Sequence, residues 1–364
     1  MATLLSKAER SYIVSGLTAR LGASIRQDGR DVHDYRTIGV MTGDGVAPLA
    51  NGSAKVSVGG TEVVAAVRLE VGDTSSYSSS GGGGGGGGGG VGNDEGRIRC
   101  NVTCSPAAYP HLSSNQQDEI QNDLTSLLQS VYSRPTPPHH PSSSSSSSLS
   151  FWDQLESNLL ILSTGKIRKY WTLHLDAVVL SDAGNLYDVL FLACRGALWD
   201  TRVPRTRAVE YRHQRQPDDK GEEEGGRDMW KEAIRSTHKN KRGGVGAADF
   251  ELEDPSELGR WLIGRERCPA AVTLNILPTA HLVDATHAEE QAIPLKLVLL
   301  YSFANDDDEQ KASSSALFLG MRLIGPGQVP LEYLKGLLQQ GETYAQQLVV
   351  AFDAQLTALE RSRE

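Results

Sequence analysis

The chain has 364 residues, with 36 Lys and Arg against 45 Asp and Glu and a formal net charge of −9. That length allows one or two domains with a sizeable core, and the acidic balance argues against a stand-alone nucleic-acid binder, whose domain is normally basic. No run of about 18 apolar residues is present to span a bilayer, the opening MATLLSKAER lacks a secretory h-region, and four cysteines (Cys100, Cys104, Cys194, Cys268) are too sparse for a disulfide scaffold and point to a reducing, intracellular compartment.

Ser6 and Glu9 have capping-box spacing, and Leu5, Ala8, Tyr12, Ile13 and Leu17 fall on one face. A first helix is expected there, with Gly22 just past its end. Residues 24–36 are polar and turn-rich, and Ile38, Val40 and Thr42 then form an alternating strand face. The runs 53–58 and 61–71 flank Gly59-Gly60, a hairpin signal that permits positive φ at both turn positions. In the second run Val63, Val64, Ala65, Ala66 and Val67 are all apolar, which predicts a central strand covered on both faces. Residues 97–105 alternate as a further strand, and 116–132 carry the apolar period of a helix.

After a Pro/Ser stretch the pattern resumes. Residues 151–162 read as helix, and Trp171, Leu173, Leu175, Ala177 and Val179 alternate along a long strand. Residues 186–198 are apolar nearly all round, as a helix buried between layers is. Strands are expected at 271–277, 293–302 and 316–324. The last helix, 329–360, carries Leu331, Leu334, Leu338, Tyr344, Ala345, Leu348, Phe352, Leu356 and Leu359. Strands then helix, met twice, describe an α+β fold of two similar halves. Four tracts, 72–96, 133–149, 212–247 and 305–315, are Gly/Ser-rich, Pro/Ser-rich or densely charged and read as insertions.

Four segments in order carry a resemblance. They are Arg26-Gln27-Asp28-Gly29-Arg30 with Tyr35-Arg36; Asn51-Gly52-Ser53-Ala54; LDAVVLSDAGNLYDVLFLACRGAL at 175–198; and Val283-Asp284-Ala285-Thr286 with Glu289-Glu290. Together they resemble the RNase PH superfamily, and within it the chains of the eukaryotic exosome ring. KAERSYIVSGL at 7–17, GNLYD at 184–188 and Thr201-Arg202-Val203-Pro204-Arg205 resemble one non-catalytic branch of that ring. The resemblance implies an RNase PH-like fold whose first half is of the ribosomal protein S5 domain 2 type. The expected organisation is an N-terminal helix (1–22), a first domain (23–211) with inserts at 72–96 and 133–149, a charged insert (212–247) and a second domain (248–364).

Active members of the family attack an RNA 3′ phosphodiester with inorganic phosphate, which needs backbone N–H groups, arginines and a carboxylate beside the leaving oxygen. The resemblance places the phosphate loop at Ala183-Gly184-Asn185-Leu186, with leucine where an arginine would grip phosphate. It places Asn122 and Ser126 at the helix positions of two further arginines, and Ala292 at that of the carboxylate. Three losses predict a degenerate site. Asp182 matches a carboxylate of active relatives, but without cationic neighbours it reads as a residue that bonds the turn.

Other features carry less. Cys100 and Cys104 lack a second ligand pair for zinc, His139-His140 sit in a Pro/Ser tract, and Asp306-Asp307-Asp308-Glu309 reads as a solvated hairpin tip. Gly81–Gly90 lacks the Lys-Ser/Thr of a phosphate loop, and the mixed charge of Glu222-Glu223-Glu224 with Lys239, Lys241 and Arg242 argues against an RNA arm. Lys166, Arg168, Lys169, Arg202, Arg205 and Arg207 are candidates for holding RNA phosphates, against the commoner state of a solvated or ion-paired surface.

The resemblance thus implies a non-catalytic subunit of a hetero-hexameric exosome ring with other RNase PH-like chains. Cap subunits of S1 or KH type and a separate exoribonuclease would act on the same RNA in nucleus, nucleolus and cytoplasm. No cofactor, metal or membrane enters that expectation. Two rivals are an active phosphate-dependent 3′–5′ exoribonuclease and a stand-alone RNA-binding module.

Overall fold

The computed structural model describes residues 5–18, 26–73, 97–132, 151–164, 167–209, 249–253, 259–278, 280–303 and 316–363. The tracts 133–149, 212–247 and 305–315 lie outside the described residues, and so do Gly22, Lys166 and 74–96 of the first tract. That tract begins later than expected, because Gly72 and Asp73 still pair within a strand.

Helix α1 (Lys7–Leu17) starts on the anticipated capping box, with Ser6 and Glu9 each bonding the other's backbone N–H. Its buried side is narrower than the sequence face, because Tyr12 is largely exposed while Ile13 and Leu17 are buried. These two residues meet helix α5 (His287–Ala292) in a small apolar cluster with Leu277, Leu282, Ala285, Ala292 and Ile293.

The first sheet has the order β1-β2-β3-β6-β4. It comprises β1 (Ile38–Thr42), β2 (Gly52–Val58), β3 (Thr61–Asp73), β4 (Ile98–Cys104) and β6 (Ile167–Ser181). The hairpin joins Val58 to Thr61. Gly59 takes φ 62° and Gly60 does not share the left-handed region, the pattern of a type II′ turn rather than one with both glycines at positive φ. β3 is central, but only its Val63, Ala65 and Val67 face is fully covered, with Val64 and Ala66 half-buried. Strand β4 runs parallel to β6, which requires the crossover through α2 (Ser114–Tyr132). Three α2 side chains, Gln121, Thr125 and Gln129, accept from the β4 amides of Cys104, Val102 and Cys100 and so close that edge of the ladder. The segment expected as one helix at 151–162 divides: α3 (Phe151–Leu159) ends and β5 (Leu160–Thr164) turns onto β6 beyond the end of β4.

The second sheet has the order β12-β11-β13-β14, made of β11 (Ala270–Ile276), β12 (His281–Val283), β13 (Lys296–Phe303) and β14 (Ala316–Ile324). Helix α4 (Leu186–Trp199) lies between the two sheets, against β2 and β3 on one side and β11 on the other. That position explains a sequence apolar all round. Its two charged interior residues find partners: Arg195, fully buried, makes two hydrogen bonds to Asp353 of α6 (Leu331–Arg361) at 2.7 and 2.6 Å. α6 buries Leu337, Ala345, Leu348, Val349, Phe352 and Leu356, while Leu331 at its start stays exposed. Short pairs β7 (Arg202–Val203) with β10 (Arg260–Trp261), and β8 (Thr206–Val209) with β9 (Asp249–Leu252), were not legible in the sequence. Among the described residues no helix is long and apolar enough to cross a membrane.

Candidate functional site

The turn from β6 into α4 is the place where a phosphate loop was expected. Gly184 adopts φ 95°, and a Cβ there would lie 2.4 Å from the carbonyl oxygen of Ala285, so glycine is required both by conformation and by close approach. Asn185 follows at φ 61°, a conformation Asn tolerates better than most residues. Gly184→Ala is expected to cost at least the 1–3 kcal/mol or so of a strained left-handed residue, read as a lowered melting temperature.

The loop amides already have acceptors. Ala183 N donates to Thr61 Oγ1 at 2.9 Å, Gly184 N to Asp182 Oδ1 at 2.9 Å and Asn185 N to Glu290 Oε1 at 3.0 Å. Two of those three acceptors are carboxylates, so the positions an inorganic anion would take are held by the chain's own negative charge. Asp182 is further held by Tyr109, whose hydroxyl donates to Oδ2 at 2.7 Å. Glu290 turns its other oxygen to Lys296 Nζ at 2.7 Å, so the nearby cation is itself paired.

Beneath the loop the first and fourth sequence segments meet. Arg26 donates to Glu289 through Nε and Nη2 at 3.0 and 2.8 Å, with both side chains essentially without solvent exposure. Arg30 and Arg36 converge on Asp284 at 2.9 and 2.7 Å. Arg36 also donates to the carbonyls of Ala183 and Gly184, fixing the loop from below. Burial alone would raise the Asp284 carboxyl, but the Arg36 hydrogen bonds and charge bring it below the ordinary carboxylate range. Glu289 is oriented by a second capping box with Thr286 at the start of α5. The arginines of the family-like motif therefore serve as a clasp between the N-terminal segment and the second half.

One turn into α4, Asp188 accepts from Tyr35 Oη at 3.0 Å and Thr273 Oγ1 at 2.7 Å. Burial pushes its carboxyl up to about 7, against the lowering effect of those hydrogen bonds.

The other expected site residues are scattered. Asn122 and Ser126 lie one turn apart on the exposed side of α2. Leu186 is buried at the start of α4. Ala292 is buried in the apolar cluster with Ile13 and Leu17. Among the basic candidates, Lys169 pairs with Asp249 at 3.0 Å and Arg207 with Glu251 at 2.9 Å, both across to β9. Arg202 lies 3.9 Å over the Trp261 ring, and Arg205 is exposed. Arg168 lies on β6, and Lys166 is outside the described residues. Cys100 and Cys104 are buried along β4, and no group of three metal-ligating side chains occurs among the described residues.

Sequence reasoning missed Thr61, Tyr109 and Lys296, none of which has a local signature. Asp188 did leave a signal, since a lone acid in an apolar helix must find donors.

Residues 34–204 match the family described as 3′ exoribonuclease family, domain 1, named RNase_PH. Among solved structures, the chain is similar to an Archaeoglobus fulgidus exosome with RNA bound to the active site, at 20% identity and a TM-score of 0.56 over 95% of this chain and 98% of that one. It is also similar to an archaeal exosome core, at 19% identity and a TM-score of 0.53 over 95% and 96%. These structures share the fold. Residues 34–204 are thus of the RNase PH domain class. Two similar proteins bear the same name. The exosome complex exonuclease RRP42 of Dictyostelium discoideum is 26% identical over 86% of this chain and 89% of that protein. The exosome complex component Rrp42 of Thermoplasma volcanium is 29% identical over 57% of this chain and 64% of that protein. Against the archaeal relative, then, the match spans just under two thirds of its length.

Proposed function

We propose that this chain is a non-catalytic RNase PH-like subunit of an RNA exosome ring. The observation that carries the non-catalytic reading is the occupied loop: the amides of Gly184 and Asn185 bond the carboxylates of Asp182 and Glu290. A phosphate entering there would have to displace two like charges, with Leu186 in place of a guanidinium. Exosome membership follows from the names of the relatives and from the shared fold.

In this reading the chain contributes interfaces in a hetero-hexameric ring of RNase PH-like subunits. Cap subunits of S1 or KH type and a separate exoribonuclease complete the machine. It supports 3′–5′ RNA processing and decay, ribosomal RNA maturation included, in nucleus, nucleolus and cytoplasm.

The test is direct. The purified chain, incubated with an oligoadenylate and millimolar inorganic phosphate, is expected to release no nucleoside diphosphate, and calorimetric titration with phosphate is expected to show no binding heat. Phosphate-dependent release of nucleoside diphosphates would overturn the non-catalytic reading.

A further inference from the structure

We propose that Asp188, with Tyr35 closed over it, is a proton-operated latch: the neutral acid keeps the N-terminal segment shut against α4, and ionisation lets the Tyr35 ring swing out to solvent. The latch is independent of the ring reading above.

Asp188 and Asp284 are buried near one another and are held in opposite ways. Asp284 receives two guanidinium groups, from Arg30 and Arg36. Asp188, 1% exposed, receives the neutral hydroxyls of Tyr35 and Thr273, at 3.0 and 2.7 Å. Facing it are Tyr35 from the N-terminal segment, Thr273 from β11, Asn185 from the start of its own helix and Asp284 from just beyond β12, while Tyr344 of α6 adjoins Tyr35. None of these five is a cation. The Asn185 amide also donates to Asp284, at 2.9 Å, and so is shared between the two acids. A buried carboxylate without a counter-charge is costly, and taking up a proton is the ordinary relief. That proton also removes the like-charge contact with Asp284.

Once ionised, Asp188 is relieved by water, and one of its walls can admit it. Thr273 lies inside the β11–β13 ladder, opposite Val298. Asn185 is fixed by Glu290 through its backbone N–H and by Asp284 through its side chain. Tyr35 belongs to neither helix nor strand and is half-buried, and its hydroxyl is tied to the fold through Asp188. The next residue, Arg36, stays anchored to Asp284 by its amide and guanidinium and to the carbonyls of Ala183 and Gly184. The opening is therefore local: Tyr35 leaves while Arg36 holds the segment in place. Burial raises the folded-state pKa of Asp188 to about 7, above the ordinary carboxylate range, so the closed form is favoured while the proton is bound and is given up as pH rises through that value.

The experiment is brief hydroxyl-radical labelling of the full chain from about pH 6 to about pH 8.5, with oxidation read at each tyrosine by peptide mass spectrometry. Tyr12 and Tyr333, 75% and 58% exposed, serve as open references, and the fully buried Tyr132 as a closed one. Labelling of Tyr35 relative to Tyr12 is expected to rise at least about five-fold across that range, with Tyr132 unchanged. In Asp188→Asn, whose amide stays neutral throughout, the ratio is expected to keep its low-pH value. A flat Tyr35 ratio in the native chain overturns the latch, and so does a rise that the folded variant shares. A rise matched by Tyr132 also overturns it, since that marks general unfolding rather than an opening at Tyr35. The native profile needs no substitution, so it decides the matter even if Asp188→Asn does not fold.

Discussion

Replacing Asp284 by alanine is expected to cost about 3–5 kcal/mol, the loss typical when one partner of a buried ion pair is removed. The Asp284 side chain has no solvent exposure, and those of Arg30 and Arg36 are only 15% and 12% exposed. It accepts from Arg36 Nε at 2.9 Å, Arg36 Nη2 at 2.7 Å, the Arg36 amide at 2.7 Å, Arg30 Nη1 at 2.9 Å and Asn185 Nδ2 at 2.9 Å. Alanine would remove the carboxylate that Arg36 pairs with and leave Arg30 with Asp28 alone, at 2.7 Å. Urea unfolding should show a lower midpoint with an unchanged slope. Acid should mimic the substitution in the native chain: because the folded-state pKa of Asp284 lies below its unfolded value, its contribution is present above that unfolded value and is lost as pH falls through the folded one. A variant as stable as the native chain at neutral pH would mean the clasp contributes nothing net.

Asp188→Asn is expected to change the pH dependence of stability in the opposite sense. The native carboxyl is raised to about 7, above an unfolded value near 4, so the folded state binds more protons between these limits. Stability from this group is therefore fully present below about pH 4, falls as pH rises and is gone above about pH 7. At about 1.4 kcal/mol per unit the span amounts to as much as about 4 kcal/mol. Asparagine imitates the neutral acid, so the variant should lose this slope and gain on the native chain at pH 8. Parallel stability curves for the two proteins between pH 4 and 8 would contradict the assignment. Tyr35, Thr273, Asn185 and Asp284 all face this carboxyl, and none of them differs between the two proteins.

Much of the fold was legible because local rules sufficed. The Ser6–Glu9 capping box, the Gly59-Gly60 hairpin and the apolar α4 are each set by residues within a few positions of one another. Where the structure departs from the sequence reading, a distant neighbour decides. The 151–162 segment divides after Leu159 because β6 offers an edge for Leu160–Thr164. Tyr12 shares a helical face with Ile13, yet only Ile13 meets α5. The four family-like segments could be placed in order, but their clasp joins Arg26 to Glu289 across 263 positions.

The sequence by itself determined most of the longer helices and strands and the Ser6–Glu9 cap of α1. These follow from side-chain chemistry and from periodicity, which operate over one or two turns. Only the tertiary structure decided which charges pair. Coulomb attraction and hydrogen bonding act between groups in contact, and contact between Arg36 and Asp284, or between Asn185 and Glu290, exists only once two sheets close on α4. The same closure buries Asp188 against Tyr35 and Thr273, a placement that no local pattern in the chain could announce.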